Sequence, residues 1–340
     1  MVRSFADNKD RPSLAINTLI SVNMQIWEDF RCGVCDGRSV SGAYDVPKAR
    51  GAGKQFHYLQ CKQCGSLWLA ALPIDLGAYY PGTYYSFSRG LGWIARRLRK
   101  ERDSVYFGKG NVLGRFLARN FREDGTLLPV SKLDMPRKAR ILDVGCGSGK
   151  LLQRMAAMGF SNLWGVDPFV RKDLNGGPLP SIRKCRIQDL SGEAYDLIMF
   201  HHSLEHVTEP KDTLWSVVKL LAPGGRCLVR LPIVSYAWQR YQTDWVQLDP
   251  PRHVWLPTEH AMRQLASSVG LRVDMVEYDS TEFQFWGSEL CRRGLWSGPV
   301  HPRRVRRHFT SRDWQRFRSD AAELNRKGLG DQACFYLSRM

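Results

Sequence analysis

The run Ile141-Leu142-Asp143-Val144-Gly145-Cys146-Gly147-Ser148-Gly149 decides the fold. An apolar strand, Ala139–Val144, ends in an acid and three alternate glycines. Leu151, Leu152, Met155 and Met158 follow at helical spacing, predicting a helix over Leu151–Met158. Glycines let the chain turn sharply and approach a ligand closely, and the helix start presents unpaired N–H groups. In an open α/β sheet, ligands bind at this carboxyl end of the strands. Two common nucleotide loops are excluded by spacing. The dinucleotide fingerprint G-x-G-x-x-G needs glycine where Lys150 stands, and a phosphate loop needs Ser or Thr after that lysine, where the chain has Leu151.

Strand and helix signals alternate downstream, the pattern of a parallel sheet covered by helices. Leu163–Val166 reads as a strand ending at Asp167, Ser181–Ile187 as one ending before Asp189, and Tyr195–Phe200 as a fourth. A helix over Thr213–Leu221 is closed by Pro223-Gly224-Gly225 before a fifth strand, Arg226–Leu231. Thr258 caps a helix to Val269, stopped by Gly270; Arg272–Tyr278 is a sixth strand. Ala333–Leu337 is the last strand, which makes 280–330 an insertion before it. The expected organisation is a leader (1–30), a cysteine module (31–72), a helical and basic connection (73–138) and the α/β domain (139–340).

The Asp143–Gly149 loop resembles the first motif of class I S-adenosylmethionine (SAM)-dependent methyltransferases. Its neighbours extend the likeness across roughly residues 139–280: Asp167 after the second strand, Asp189 after Gln188, Tyr195–Val207 as the fourth-strand motif, and Ala222-Pro-Gly-Gly225. The resemblance implies a doubly wound, seven-stranded, mainly parallel Rossmann-like sheet. It implies SAM as cofactor, held by Asp143, Gly145, Cys146, Gly147, Gly149, Asp167, Pro168, Gln188, Asp189 and His201. Singly, each has a plainer explanation: Asp167 can cap the turn at Pro168, Asp189 can cap a helix, and His201 can be a polar strand end.

Cys32-Gly-Val-Cys35 and Cys61-Lys-Gln-Cys64 are two C-x-x-C knuckles. Two such pairs complete a tetrahedral sulfur site, so they predict structural zinc, with iron as the alternative S4 metal. With four protein ligands the metal has no open position for catalysis. A redox dithiol would stand alone on a thioredoxin-like pattern, which is missing. A cysteine ribbon ahead of such a domain is similar to bacterial methyltransferases of surface-polysaccharide and sugar pathways, and to a group of ribosomal RNA guanine methyltransferases.

Candidates for acceptor chemistry lie after the fourth and fifth strands. His202 and His206 flank Glu205, and His253 closes Asp249-Pro-Pro-Arg252-His253. A histidine there can serve as general base, or the Glu-His pair can merely pack. Asp249–His253 and Phe283–Glu289 resemble segments of the polysaccharide-associated group. Aromatic rings in the latter suit sugar faces and suit a core equally. The fourth strand ends His-His-Ser-Leu, unlike the N/D-P-P-Y of adenine and cytosine N-methyltransferases, and no Pro-Cys nucleophile stands there.

The net charge is +17, with 50 Lys+Arg against 33 Asp+Glu. Such a balance favours an anionic partner: RNA, an anionic membrane surface or an acidic substrate. Basic runs at Trp93–Arg102 and Arg303–Arg307, with Arg312, Arg316 and Arg318, are the candidate contacts, or are simply solvated faces. Apolar runs are too short to span a bilayer, and Asp7, Lys9 and Asp10 precede Ser13–Val22. This predicts a cytoplasmic protein, or one peripheral at the inner face of a membrane. The expected activity is methyl transfer to a sugar or lipid-linked glycan, with RNA base methylation and a non-catalytic SAM-binding scaffold as alternatives.

Overall fold

A computed structural model of the chain describes residues 30–47, 55–80, 92–121, 125–174, 180–296 and 305–340. Most of the expected leader, and Arg303 and Arg304, lie outside the described residues.

Two sheets organise the protein. The first is β1 (Val40–Pro47), β2 (Gln55–Cys61) and β3 (Leu67–Leu69), all antiparallel. Two helices follow, α1 (Trp93–Ser104) and α2 (Val112–Asn120), then the short α3 (Leu127–Ser131). The second sheet begins at β4 (Arg140–Val144), which leads into α4 (Lys150–Ala157). Next come β5 (Asn162–Val166), β6 (Ser181–Arg183) and β7 (Tyr195–His201). Helix α5 (Pro210–Leu220) returns the chain to β8 (Leu221–Pro232), followed by α6 (Tyr236–Tyr241). The remainder is β9 (Trp255–Leu256), α7 (Glu259–Ser268), β10 (Leu271–Tyr278), α8 (Phe283–Arg292), α9 (Ser311–Arg326) and β11 (Gln332–Arg339).

The second sheet has seven strands in the order β10-β11-β8-β7-β4-β5-β6, with β11 antiparallel to both neighbours. This is the doubly wound fold expected from the sequence. Its central strands are covered on both faces, which is why they read as unbroken apolar runs. Leu142, Ile198 and Phe200 pack to one side with α5 and α7, through Leu214, Val217, Met262 and Leu265. Ile141, Leu197 and Met199 pack to the other with Leu152 and Met155 of α4. The period-2 alternation of a strand thus feeds two cores from one sheet.

Several boundaries move. The expected third strand stops at Arg183, and Ile187–Asp189 is instead a 3₁₀ turn. Helix α5 starts three residues earlier than expected, with Pro210 in its first turn, where the missing N–H costs nothing. Pro223-Gly224-Gly225 does not separate helix from strand. Leu221 already pairs with Tyr195, and the next paired residue, Arg226, faces Leu197, so the intervening residues bulge within β8. Gly224 takes φ +73° in that bulge. Thr258 caps α7 as expected, accepting from Ala261 N at 3.0 Å. The segment before β11 carries α8 and α9.

Strand β9 pairs with β3, so the cysteine segment and the larger domain share a sheet. Tyr58 and Leu67 pack in one cluster with Trp238, Trp245, Phe285 and Phe317. No helix among the described residues is long and apolar enough to cross a membrane.

Candidate functional site

The loop after β4 is held by close approaches that only glycine permits. Gly145 takes φ +74°, and a Cβ there would strike Ser203 Cβ. Gly149 takes φ +72° at the start of α4, where a Cβ would lie 2.6 Å from Ile182 Cδ1. Ser203 Oγ donates to Val144 O at 2.6 Å, tying the ends of β4 and β7 together.

Beside this loop is a cleft at the carboxyl ends of the strands. Gly145, Asp167, Pro168, Gln188, His202 and His206, all singled out in the sequence, line it. Asp167 Oδ2 accepts from Gly147 N at 2.8 Å and Oδ1 from Phe169 N at 2.8 Å. Burial nonetheless raises the Asp167 carboxyl above its ordinary value. Gln188 Nε2 donates to Thr213 Oγ1 at 3.0 Å.

Other predicted contacts lie behind the cleft wall. Asp143 is buried under the loop, where burial, then the charge of Asp167, raises its carboxyl to about 8. Cys146 packs against Gly165, and burial pushes its thiol up. Gly147 and Gly149 shape the loop without lining the cleft. Asp189 caps its own 3₁₀ turn, accepting from Arg186 N at 2.8 Å, and is not a lining residue. His201 ends β7 with both ring nitrogens buried, also off the cleft wall. Sequence reasoning missed Tyr80 and Phe169, which stack at 4.6 Å and close one side of the cleft. Nothing in the Tyr-rich stretch around Tyr80 distinguishes it.

A second cavity adjoins the first, and His202 and His206 line both. Its other walls include His253, Arg252, Phe283, Trp286 and Trp296. His202 holds φ +52° after β7. Arg230 can only donate, so its Nη1, 2.9 Å away, leaves His202 Nε2 as the acceptor. Arg230 is fixed in turn by Asp279, which also accepts from Gln332 at 2.8 Å. Burial lowers the His202 imidazole to about 3, and the Arg230 charge adds to that. His206 Nδ1 donates to Arg252 O at 2.7 Å, and His253 Nδ1 to Gln247 O at 2.5 Å. Burial lowers both imidazoles to about 4, so both are neutral at pH 7. Arg252 forms an ion pair with Asp249 at 2.5 Å within the loop.

The four knuckle cysteines converge. Cys32 Sγ lies 3.5 Å from Cys64 Sγ, and Cys35 Sγ lies 3.5 Å from Cys61 Sγ; none forms a disulfide. All four sulfurs lie within 4.8 Å of one another. With Zn–S bonds of about 2.3 Å, a tetrahedral site has sulfurs about 3.8 Å apart, so this donor set fits the metal.

Comparison with known proteins agrees with this geometry. Residues 113–276 match a family model described as a methyltransferase domain. The chain is 35% identical over 105 residues to a tRNA U34 carboxymethyltransferase of Klebsiella pneumoniae, covering 28% of this chain and 31% of that protein. It is 34% identical over 101 residues to a ubiquinone biosynthesis O-methyltransferase of Xanthomonas axonopodis, covering 27% of this chain and 42% of that one. The match thus spans less than half of either relative. Among solved structures, the cyclopropane synthase MmaA2 of Mycobacterium tuberculosis aligns at 18% identity and TM-score 0.41, over 64% of this chain and 88% of that one. Residues 113–276, which hold the Gly145 turn and most of the strand-end cleft, are thus similar to a methyltransferase domain.

Proposed function

We propose that the protein transfers a methyl group from SAM to an oxygen of a saccharide acceptor, such as a lipid-linked glycan. The supporting observation is the junction of the two cavities at His202 and His206. One cavity adjoins the glycine loop and Asp167, which suits a nucleoside with its ribose on the acid. The other offers the rings of Phe283, Trp286 and Trp296 for a sugar face and Arg252 for an anionic group. Bound SAM supplies an electrophilic methyl at its sulfonium. The chain's part is alignment and proton handling. Nε2 of His206 and of His253 is left unprotonated by the bonds at Nδ1 and is available to an acceptor hydroxyl. The ubiquinone-pathway relative is an O-methyltransferase by name, which supports oxygen as the acceptor atom. The tRNA relative and the basic surface support RNA as a second reading. Tritium from labelled SAM should enter cell-envelope glycolipid extracts; label in RNA alone would reverse the choice.

We also infer that the four cysteines hold structural zinc. The anionic partner suggested by the charge is, on this reading, a lipid surface met by α1 and α2. These helices expose Trp93, Ile94, Leu98, Val112, Leu113 and Phe116, with Val112 84% exposed. Arg96, Arg97, Lys100 and Arg115 are exposed beside them, a mixture that suits anionic headgroups. Cosedimentation with phosphatidylglycerol vesicles should be lost in Trp93→Glu/Phe116→Glu. Equal binding to phosphatidylcholine, or retention on RNA alone, would overturn this.

A further inference from the structure

We propose a second metal site, for a divalent transition ion, formed by Glu205, His206 and His253. It is separate from the four-cysteine cluster. Glu205 is fully buried, yet neither carboxylate oxygen has a donor in hydrogen-bond geometry. It forms no ion pair with Lys or Arg among the described residues. Among the described residues imidazoles approach it: His202 Nδ1, the protonated nitrogen of that ring, at 3.3 Å but outside hydrogen-bond geometry, and His253 Nε2 at 3.9 Å from Oε1. A buried carboxylate without a counter-charge is costly, and folds avoid it unless something pairs it.

The histidines supply what a metal requires. A carbonyl oxygen can only accept, so the bonds to Arg252 O and Gln247 O place the proton on Nδ1 of both His206 and His253. Each Nε2 therefore keeps its lone pair. Metal-binding histidines are commonly fixed this way, with the other ring nitrogen donating to a backbone carbonyl. The rings lie 4.9 Å apart, and one ligand atom from each of the three residues falls within 4.8 Å of the others. Two imidazole nitrogens and one carboxylate form a donor set suited to Zn²⁺, Fe²⁺ or Co²⁺.

Placement gives the ion a role. His206 lines both cavities and His253 the second, so an ion with three protein ligands keeps positions for an acceptor oxygen. On this inference the imidazoles act through the ion rather than taking the proton themselves. That role rests on the methyl-transfer reading; the binding of the ion does not.

The test is equilibrium dialysis against Co²⁺ of the full chain carrying one equivalent of zinc, enough for the four-cysteine cluster alone, with zinc and cobalt both quantified. We expect about one Co²⁺ bound without loss of zinc, and binding weakened by more than about tenfold in His206→Asn and in His253→Asn. Circular dichroism and the melting temperature report folding of each variant, and Glu205→Gln serves as the isosteric third variant. No uptake, uptake only by displacing zinc, or uptake unchanged in folded His253→Asn would each overturn the site. Co²⁺ binding by a chain that fails to bind SAM would instead sink the proposed function and leave the metal site standing.

Discussion

The backbone N–H of Gly147 donates to Asp167 Oδ2 at 2.8 Å, linking the glycine loop to the acid at the end of the next strand. The same carboxylate faces the cleft. Loop shape and ligand recognition thus depend on one side chain. Asp167→Asn replaces one acceptor oxygen with an amide and removes the charge. SAM affinity by calorimetry should fall at least about tenfold, the equivalent of one charged hydrogen bond. Unchanged affinity would remove Asp167 from the cofactor site.

Gly145→Ala should be more damaging. Its φ of +74° is unfavourable for alanine, and the added methyl would meet Ser203. The expected outcome is loss of SAM binding together with a lower melting temperature. Normal behaviour in both would show that the loop relaxes freely.

The buried Asp143 predicts a pH dependence of stability. Its folded-state value is raised to about 8, well above that of an unfolded aspartate. Between pH 4 and 8 the folded state therefore binds the extra proton. Stability from this group is greatest at the acid end and falls as pH rises through that window. Urea midpoints should decline from pH 6 to 8.5 in the natural chain, and Asp143→Asn should flatten that decline. Parallel curves would refute the assignment.

Tyr58 Oη lies 2.6 Å from His253 O and 3.0 Å from Leu248 O, donating across 195 residues to the loop that carries His253. Tyr58→Phe keeps the buried ring and leaves two carbonyls without this donor. A cost of about 1–2 kcal/mol is expected in chemical unfolding. Turnover should suffer more than SAM binding, because the loop borders the second cavity and not the first.

Metal analysis of the purified chain should find about one structural zinc. Cys61→Ser should lose it and lower the melting temperature. A chain that retains its zinc after this change would exclude Cys61 as a ligand.

The sheet was legible because its central strands are apolar on both faces. Leu197–Phe200 needs no partner information to be recognised as buried strand. The glycine loop was legible because steric limits on φ act locally. Tertiary effects were not. Pro223-Gly224-Gly225 carries turn chemistry, yet pairing of Leu221 with Tyr195 draws those residues into β8. Asp189 has the right type and place for a ligand, but one of its carboxylate oxygens accepts from Arg186 N and the residue does not line the cleft. Glu205 reads only as half of a Glu-His pair after the fourth strand, and folding places it between His202 and His253. Tyr58 gives no sign in sequence of its bonds to a loop nearly two hundred residues away.

The pairing of β9 with β3 limits how this protein can be dissected. Trp255 stacks on Trp68 at 5.5 Å, and Thr258 Oγ1 donates to Cys64 O at 2.7 Å. Deleting residues 1–72 would strip a buried tryptophan of its cover and leave β9 as a bare, sticky strand edge. The cysteine segment is therefore not a detachable cassette. A transplant or truncation respecting only the matched span 113–276 would be expected to aggregate, whatever the quality of its cofactor cleft.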